Sequence, residues 1–231
     1  MFSSLLYGTE NMPGLWQIGK AFIELLGNGT LFRYSVASLF RVTLGFYIAA
    51  LLAVPLGLFL GRRRFINRWA NPFIQFLRPI SPLAWIPFAM IWFGIGDQPA
   101  LFIIFIGSFF PILLSAINAA AMIPSMYFQV AANLQFKVWE SLCYVIIPAT
   151  VPSIVLGLRV ALGIAWMVVV AAEMIAVKSG LGFLIVDARN ALRIDYVIVA
   201  VLTIGIIGLF LDHTMTRLEH IDSVRWRFEQ A

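Results

Sequence analysis

The chain has 231 residues, of which 61% are hydrophobic and 12% are charged, and its formal net charge is +5. Soluble domains carry about 25% charged and about 45–50% apolar residues, so this composition excludes a soluble globular protein and indicates an integral membrane protein. The long unbroken apolar runs indicate helices rather than a β-barrel, and the basic residues lie in loops in the way that sets membrane orientation, so we expect no nucleic-acid partner.

The first 34 residues predict an amphipathic segment. Trp16, Phe22 and Leu26 belong to an apolar stripe, with Lys20 and Glu24 beside it. A helix of this kind fits the outer membrane surface better than a sixth span. We expect three regions, which are an N-terminal amphipathic segment over 1–34, a transmembrane domain over 35–219 and a cytoplasmic tail over 220–231.

Five apolar segments are candidates for membrane spans, because a hydrocarbon core of about 30 Å needs about 20 helical residues. The second candidate is short and holds Pro79, Pro82 and Pro87, so we expect it to be kinked or irregular. The five candidates cover roughly 35–60, 79–96, 99–120, 150–177 and 195–212.

One stretch, residues 124–148, cannot span the membrane, and we call it the island. Polar and charged residues interrupt its apolar pattern, among them Gln129, Lys137 and Glu140. Apolar residues still recur at a spacing of four, which predicts two short helices over about 125–134 and 137–147. Such a helix pair is either an ordinary interfacial loop or a docking surface for a soluble protein.

The arginines that follow the first span set the expected orientation. Arg62, Arg63, Arg64 and Arg68 lie close together, and cytoplasmic loops carry the excess of basic residues. Placing this loop inside puts nine basic residues inside and five outside. We therefore expect the N-terminus outside, and the island and the C-terminus in the cytoplasm.

The residue order of the island resembles the loop by which permease subunits of binding-protein-dependent ABC importers dock on their ATPase. The family pattern is Glu-Ala-Ala, three residues, Gly, and later a hydrophobic-x-Leu-Pro close. Here Gln129 stands in place of the Glu and Gln135 in place of the Gly, where a non-glycine residue in a left-handed conformation costs about 1 kcal/mol or more. The resemblance implies that the ATPase-coupling residues are Gln129, Val130, Ala131, Ala132, Asn133, Leu134, Gln135 and Pro148.

Further segments are similar to the branch of this family that imports nitrate, bicarbonate, sulfonates and taurine. The resemblance covers roughly residues 13–219, and the family usually has one more span before this start, so we expect either a shorter subunit or a missing N-terminal piece. The matching segments are SLFRVTLGF at 38–46, PLG at 55–57, RPISPLAWIP at 78–87, WFGIG at 92–96, GLRVALG at 157–163, AEM at 172–174 and SGLGFLI at 179–185.

The resemblance implies an all-α fold, the transmembrane domain of a type I ABC importer, in the bacterial inner (plasma) membrane. The implied function is that of a permease through which a small anion crosses after a binding protein delivers it. The chain has no GxxxxGK[ST] motif, so it is expected to be a transport subunit without an ATPase site of its own, a cofactor or a metal. The implied partners are ATP-binding ABC subunits, a substrate-binding protein, a second permease copy in a homodimer, and membrane lipid.

Three charged residues lie within or at the ends of the predicted spans. Arg41, Arg159 and Glu173 should face protein or water, because a charge at mid-bilayer costs about 3 kcal/mol on insertion scales. Arg159 and Glu173 share roughly one face of a helix, so they either line the translocation pathway for an anion or form ion pairs with other helices. For Arg41 we favour a side chain that extends to the membrane interface.

An ion-coupled secondary transporter or channel subunit is the alternative function. Such proteins often carry sequence repeats and membrane-embedded acidic groups, whereas this chain has no internal repeat and one acid within a span, Glu173. A membrane enzyme is less favoured still, because His213 and His220 have no acid or cysteine at metal-ligand spacing.

Overall fold

The computed structural model describes residues 13–219, apart from the side chains of Arg64, Leu218 and Glu219. The predicted tail over 220–231, with His220, and the first twelve residues of the predicted amphipathic segment lie outside this range. Helices and the turns between them make up the described part of the chain. In chain order the α-helices are α1 Leu15–Gly27, α2 Thr30–Arg62, α3 Arg64–Leu77, α4 Ile86–Phe93, α5 Asp97–Ala121, α6 Ser125–Asn133, α7 Val138–Ser141, α8 Ile147–Ala176, α9 Leu181–Asn190 and α10 Ile194–Glu219.

Four helices among the described residues are long and apolar enough to cross a membrane. They are Thr30–Arg62, Asp97–Ala121, Val138–Ala176 and Ile194–Arg217. They contain the first, third, fourth and fifth predicted spans. The second predicted span is not one continuous helix, because a 3₁₀ turn over Pro82–Trp85 precedes the eight residues of α4. Proline at the start of this segment lacks the backbone donor that a regular helix needs, which explains the predicted irregularity.

A short turn joins α1 to the first span. Gly29 has a φ of 71°, a value that glycine adopts at little cost. The Asn28 side chain accepts a hydrogen bond from the backbone N–H of Thr30 at 2.9 Å, and so satisfies a donor in the first turn of α2. The first span therefore begins at Thr30 rather than near residue 35. Helix α1 confirms the predicted N-terminal helix, while its position at the outer membrane surface stays a prediction.

The chain divides into two compact units. The first contains the described residues up to Gly45 together with Pro82–Ile104 and Ala165–Phe210, and its buried side chains include Leu25, Ile103 and Val169. Its helices approach closely at Gly45, where a β-carbon would lie 2.7 Å from the Ile104 side chain. Small residues that allow such close approach are typical of helix packing in membranes.

The second unit contains Phe46–Ser81, Phe105–Ile164 and the described residues from Leu211 onward. Its core includes Ala53, Ile112 and Leu113. At Gly57 an added β-carbon would lie 2.8 Å from the backbone oxygen of Leu113, so glycine is required for this contact. The island and the arginine-rich helix α3 both belong to this unit.

Candidate functional site

Helix α6 of the island ends in a left-handed turn at Gln135, whose φ is 54°. The Gln135 N–H donates to the Ala132 carbonyl and the Phe136 N–H donates to the Ala131 carbonyl, each at 3.0 Å. This pair of bonds is the Schellman motif, in which glycine usually occupies the left-handed position. The turn expected between the two island helices is therefore present, with glutamine where the related sequences usually have glycine.

The second half of the island differs from the prediction of a separate helix over 137–147. The Lys137 N–H donates to a carboxylate oxygen of Glu140 at 2.6 Å, which starts α7. A π-helical segment over Leu142–Ile146 then leads directly into α8. Pro148 lies in the first turn of α8 and lacks the N–H that a continuous α-helix would donate four residues back. It marks the junction of island and span rather than the end of a helix.

The island exposes large apolar side chains although it does not span. Val138 is 87% exposed and Trp139 is 75% exposed. Leu134 and Val130, which precede them in the island, are also exposed. Trp139 was not singled out from the sequence, because it lies off the stripe of apolar residues at a spacing of four. Large apolar side chains are rarely left exposed to water outside a binding surface, and the island is a segment that we expect to lie in the cytoplasm.

The predicted coupling residues lie on this surface with one exception. Ala131 is 4% exposed and packs against its own chain, although the resemblance implies that it is a coupling residue. A cation–π contact helps to fix the island, because the Arg62 guanidinium lies 3.5 Å from the centroid of the Phe128 ring. The residues exposed at the surface are Gln129, Val130, Ala132, Asn133, Leu134, Gln135 and Pro148. Their role in docking stays a prediction.

A second group of polar residues is buried in the first unit. The Arg41 guanidinium donates to the Glu173 carboxylate at 2.6 Å, and the two side chains are 4% and 0% exposed. Ser38 Oγ donates to the other carboxylate oxygen at 2.8 Å, and the Gly182 N–H donates to the same oxygen at 3.0 Å. Each carboxylate oxygen thus has a partner, which a buried charge requires. We call Ser38, Arg41, Glu173, Ser179 and Gly182 the buried ion cluster.

The loop before α9 is shaped around this cluster. Arg41 donates to the Ser179 carbonyl at 3.0 Å and also to the Ser179 hydroxyl. Gly180 has a φ of 105°, and a β-carbon there would overlap the Glu173 carboxylate. The glycines of the SGLG segment therefore let the backbone approach the carboxylate closely.

The cluster shows where two of the charged residues within the spans, Arg41 and Glu173, find their partners. Arg41 is buried and ion-paired, so the expectation that it extends to the membrane interface is wrong. Its guanidinium also contacts the exposed carboxylate of Asp97 at 2.7 Å. For Glu173 the ion pair with another helix is present. A role of Arg41 and Glu173 in the translocation pathway stays a prediction.

Arg159 forms a two-pronged contact with Asp212 on α10. Its Nε and Nη2 atoms donate to the two carboxylate oxygens at 2.8 and 3.0 Å. Side chains of this pair are 31% and 57% exposed, so the guanidinium stays accessible. Asp212 was not singled out from the sequence, because it lies 53 residues from Arg159.

Helix α9 and the turn that follows it lead from α8 to α10. Arg193 contacts Asp195 at 2.8 Å, and this hydrogen bond raises the pKa of Arg193 above its ordinary value. No group of three or more histidine, cysteine, aspartate or glutamate residues within 13–219 could hold a metal ion.

Comparison with known proteins shows what the chain resembles. Residues 53–220 match the family described as binding-protein-dependent transport system inner membrane component. The chain is 45% identical over 199 residues to a putative ABC transporter permease protein of Methanocaldococcus jannaschii, covering 86% of this chain and 74% of the relative. It is 39% identical over 190 residues to the bicarbonate transport system permease protein CmpB of Synechococcus elongatus, covering 82% and 68%.

Two more distant proteins are also similar. The putative aliphatic sulfonates transport permease protein SsuC of Bacillus subtilis is 33% identical over 216 residues, covering 94% of this chain and 78% of the relative. Among solved structures, a chain of the MetNI methionine ABC transporter in an inward-facing conformation matches with a TM-score of 0.68 and 15% identity. That match covers 88% of this chain and 95% of the other, so the two chains share a fold.

Proposed function

The chain belongs to the family of binding-protein-dependent transport system inner membrane components, and on this basis we propose that it forms the pathway by which an ATP-driven importer moves a small anion across the membrane. It is a permease component of the ABC importer type. The proposed substrate class is nitrate, bicarbonate, a sulfonate or a taurine-like compound. The relatives named as bicarbonate and aliphatic sulfonate permeases support this class.

The observation that carries the proposal is the exposed apolar surface of the island. Val138 and Trp139 are among the most exposed large apolar side chains of the described chain, and they lie where the related permeases are expected to meet their ATPase. Lys137 and Glu140 lie beside them in sequence, as polar residues do at the rim of a protein interface. We propose that ATP-binding subunits cover this surface.

The continuity of the helix after the island supports a mechanism for coupling. Residues Val138–Ala176 form one uninterrupted helical stretch, which includes the exposed α7 and, at its other end, the buried Glu173. A displacement of α7 by the ATPase therefore acts on a span without an intervening loop. ATP binding would favour one conformation of the pathway and ATP hydrolysis the other, since each partner binds one state better.

The remaining parts of the proposal concern the assembly and its location. We propose that two copies of the chain form a homodimer, that a substrate-binding protein delivers the anion from the outer side, and that the complex lies in the inner membrane. The island faces the cytoplasm in this arrangement. The excess of basic residues around Arg62, Arg63 and Arg68 supports that orientation.

Reconstitution into vesicles tests the proposal. The chain would be combined with its ATP-binding subunits and its binding protein, and ATP hydrolysis would be measured with nitrate, bicarbonate or taurine added, and with chloride as the control. We expect one of the three, and not chloride, to stimulate hydrolysis and to accumulate in an ATP-dependent manner. Uptake that proceeds without ATP and follows an ion gradient would contradict the proposal and favour a secondary transporter.

A further inference from the structure

Helix α3 carries an aromatic stripe that the rest of the chain leaves uncovered. Phe65, Trp69, Phe73 and Phe76 recur at spacings of three and four, which puts them on one face of a helix. Their exposed fractions are 76%, 68%, 71% and 72%. Of the α3 side chains that the structure describes, only Ile74 is buried, at 8%. The helix therefore attaches to its unit along one edge and presents its aromatic face outward.

Arginines flank this helix, since Arg63 precedes it, Arg78 follows it and Arg68 lies to one side of the aromatic stripe. Arg63, Arg68 and Arg78 are exposed, and within residues 13–219 none of them takes part in a salt bridge. The sequence contains no acidic residue between Glu24 and Asp97. The positive charge of α3 is thus not neutralised by neighbouring side chains, and it attracts a negatively charged surface outside the chain.

The position of α3 in the chain indicates which surface this is. Helix α2 meets the length and composition of a membrane span and ends at Arg62. Arg63 is non-helical, with a φ of −104° and a ψ of 80°, so α3 starts as a separate helix where the chain leaves the hydrocarbon. Helices with an aromatic face that is bordered by basic and polar residues lie in the interface of anionic membranes, with the apolar face among the acyl chains.

We propose that α3 is a membrane-surface helix whose arginines bind the headgroups of anionic phospholipids while its aromatic stripe enters the acyl region. A second copy of the chain on this face would shield the aromatic stripe from lipid and from water alike, so labels on the two faces of α3 distinguish it from a bilayer. The island provides the contrast, since it combines Lys137 with Glu140 and polar amides, as a protein-docking surface does. The two surfaces thus have different occupants, a bilayer for α3 and a protein for the island.

Lipid binding by the full chain tests the headgroup contact. The purified protein in neutral detergent would be titrated with fluorescent phosphatidylglycerol and with fluorescent phosphatidylcholine. We expect the native chain to bind phosphatidylglycerol in preference to phosphatidylcholine. In the triple variant Arg63→Gln, Arg68→Gln, Arg78→Gln this preference should fall by about fivefold for each arginine removed. The matched triple variant Arg33→Gln, Lys178→Gln, Arg189→Gln has the same net charge and should keep the preference.

Two results of the titration would overturn the proposal. One is an equal preference in the native chain and in the α3 triple variant. The other is displacement of bound phosphatidylglycerol by inorganic phosphate at an equal concentration, because the arginines would then bind free anions rather than lipid.

Spin labels on the two faces of α3 give a test that does not depend on removing arginines. Cys143 is exposed, so the labels would be placed on Phe73→Cys or Asn71→Cys in a Cys143→Ser chain within vesicles that contain phosphatidylglycerol. We expect the label at 73 to be accessible to oxygen and shielded from a water-soluble nickel chelate, and the label at 71 to show the opposite. Equal access of the chelate to both labels, or shielding of the label at 73 from oxygen as well as from the chelate, would overturn the proposal.

Discussion

The guanidinium of Arg41 and the carboxylate of Glu173 lie 2.6 Å apart, although 132 residues separate them in the chain and neither side chain has appreciable contact with solvent. The pair joins α2 to α8, and the hydrogen bond from the Gly182 N–H to the same carboxylate adds the first turn of α9. A buried charge without its partner is much more costly than the pair. The ion cluster should therefore hold these three elements in one arrangement.

Removing the Glu173 carboxylate should destabilise the chain. In Glu173→Ala the buried Arg41 loses its closest anionic partner, and we expect the free energy of unfolding to fall by about 3–5 kcal/mol, as when other buried pairs are broken. The midpoint of thermal unfolding in detergent measures this loss. Glu24→Ala is the control, because Glu24 is half exposed and contacts Arg193 only at 3.5 Å. An unchanged midpoint for Glu173→Ala would show that the cluster contributes nothing to stability.

Replacing Gly180 with alanine should also destabilise the cluster. Gly180 has a φ of 105° and a ψ of 170°, a region that costs a non-glycine residue about 1–3 kcal/mol, and the new methyl group would also overlap the Glu173 carboxylate. Gly19→Ala is the matched control, since no atom lies within 4 Å of a β-carbon in that helical position. The control should gain about 0.5–1 kcal/mol from its higher helix propensity. If Gly180→Ala and Gly19→Ala changed the free energy of unfolding in the same direction, the result would contradict the structure of the loop.

Gln135→Gly should stabilise the island. The left-handed conformation at Gln135 costs a residue with a β-carbon about 1 kcal/mol relative to glycine. Gln129→Gly is the matched control in helix α6, where glycine should instead cost about 0.5–1 kcal/mol. Hydrogen exchange of the amides of α6 and α7 reports both changes locally. Faster exchange in Gln135→Gly than in the native chain would show that the turn is formed differently.

The pair of Arg159 and Asp212 distinguishes a pathway role from a structural one. Arg159→Gln removes the cation, whereas Asp212→Asn keeps the cation and weakens the contact that holds it. If Arg159 attracts the anion, which is one of the two alternatives that the sequence left open, ATP-dependent uptake should fall several-fold in Arg159→Gln and much less in Asp212→Asn. Equal losses in the two variants, with equal losses of thermal stability, would indicate that the pair is structural only.

The sequence predicted those parts of the structure that depend on local order. The apolar runs located the four long helices, and the spacing from Gln129 to Gln135 located the left-handed turn of the island. The second island helix is present from Val138 onward, but the prediction that it ends before the span was wrong, because Val138, Leu142 and Ile146 recur in the same way whether a helix ends or continues into a span. Pro148 suggested an end, but a proline is tolerated in the first turn of a helix.

The partners of the charged residues could not be predicted for a different reason. Arg41 and Glu173 are distant in sequence, and a spacing along the chain does not indicate which helices pack together. Arg41 therefore looked like an interface residue, although the structure surrounds it with Glu173, Ser179 and Asp97. Asp212 was missed for the same reason. Only the SGLG segment carried a signal, since two glycines so close together indicate a close backbone approach.

The central claim is that ATP-binding subunits dock on the island. The capture of these subunits by a Val138→Asp variant tests it most directly. Val138 and Leu192 are both 87% exposed, so Leu192→Asp is a control of equal exposure outside the island. Each full-length variant would be co-expressed with the ATP-binding subunits, purified by a tag on the permease, and the ratio of the two proteins measured. We predict a loss of about tenfold or more for Val138→Asp, because a carboxylate left unpaired in a buried interface costs about 1–3 kcal/mol or more, and no loss for Leu192→Asp. An equal ratio in Val138→Asp, Leu192→Asp and the native chain would contradict docking through the island.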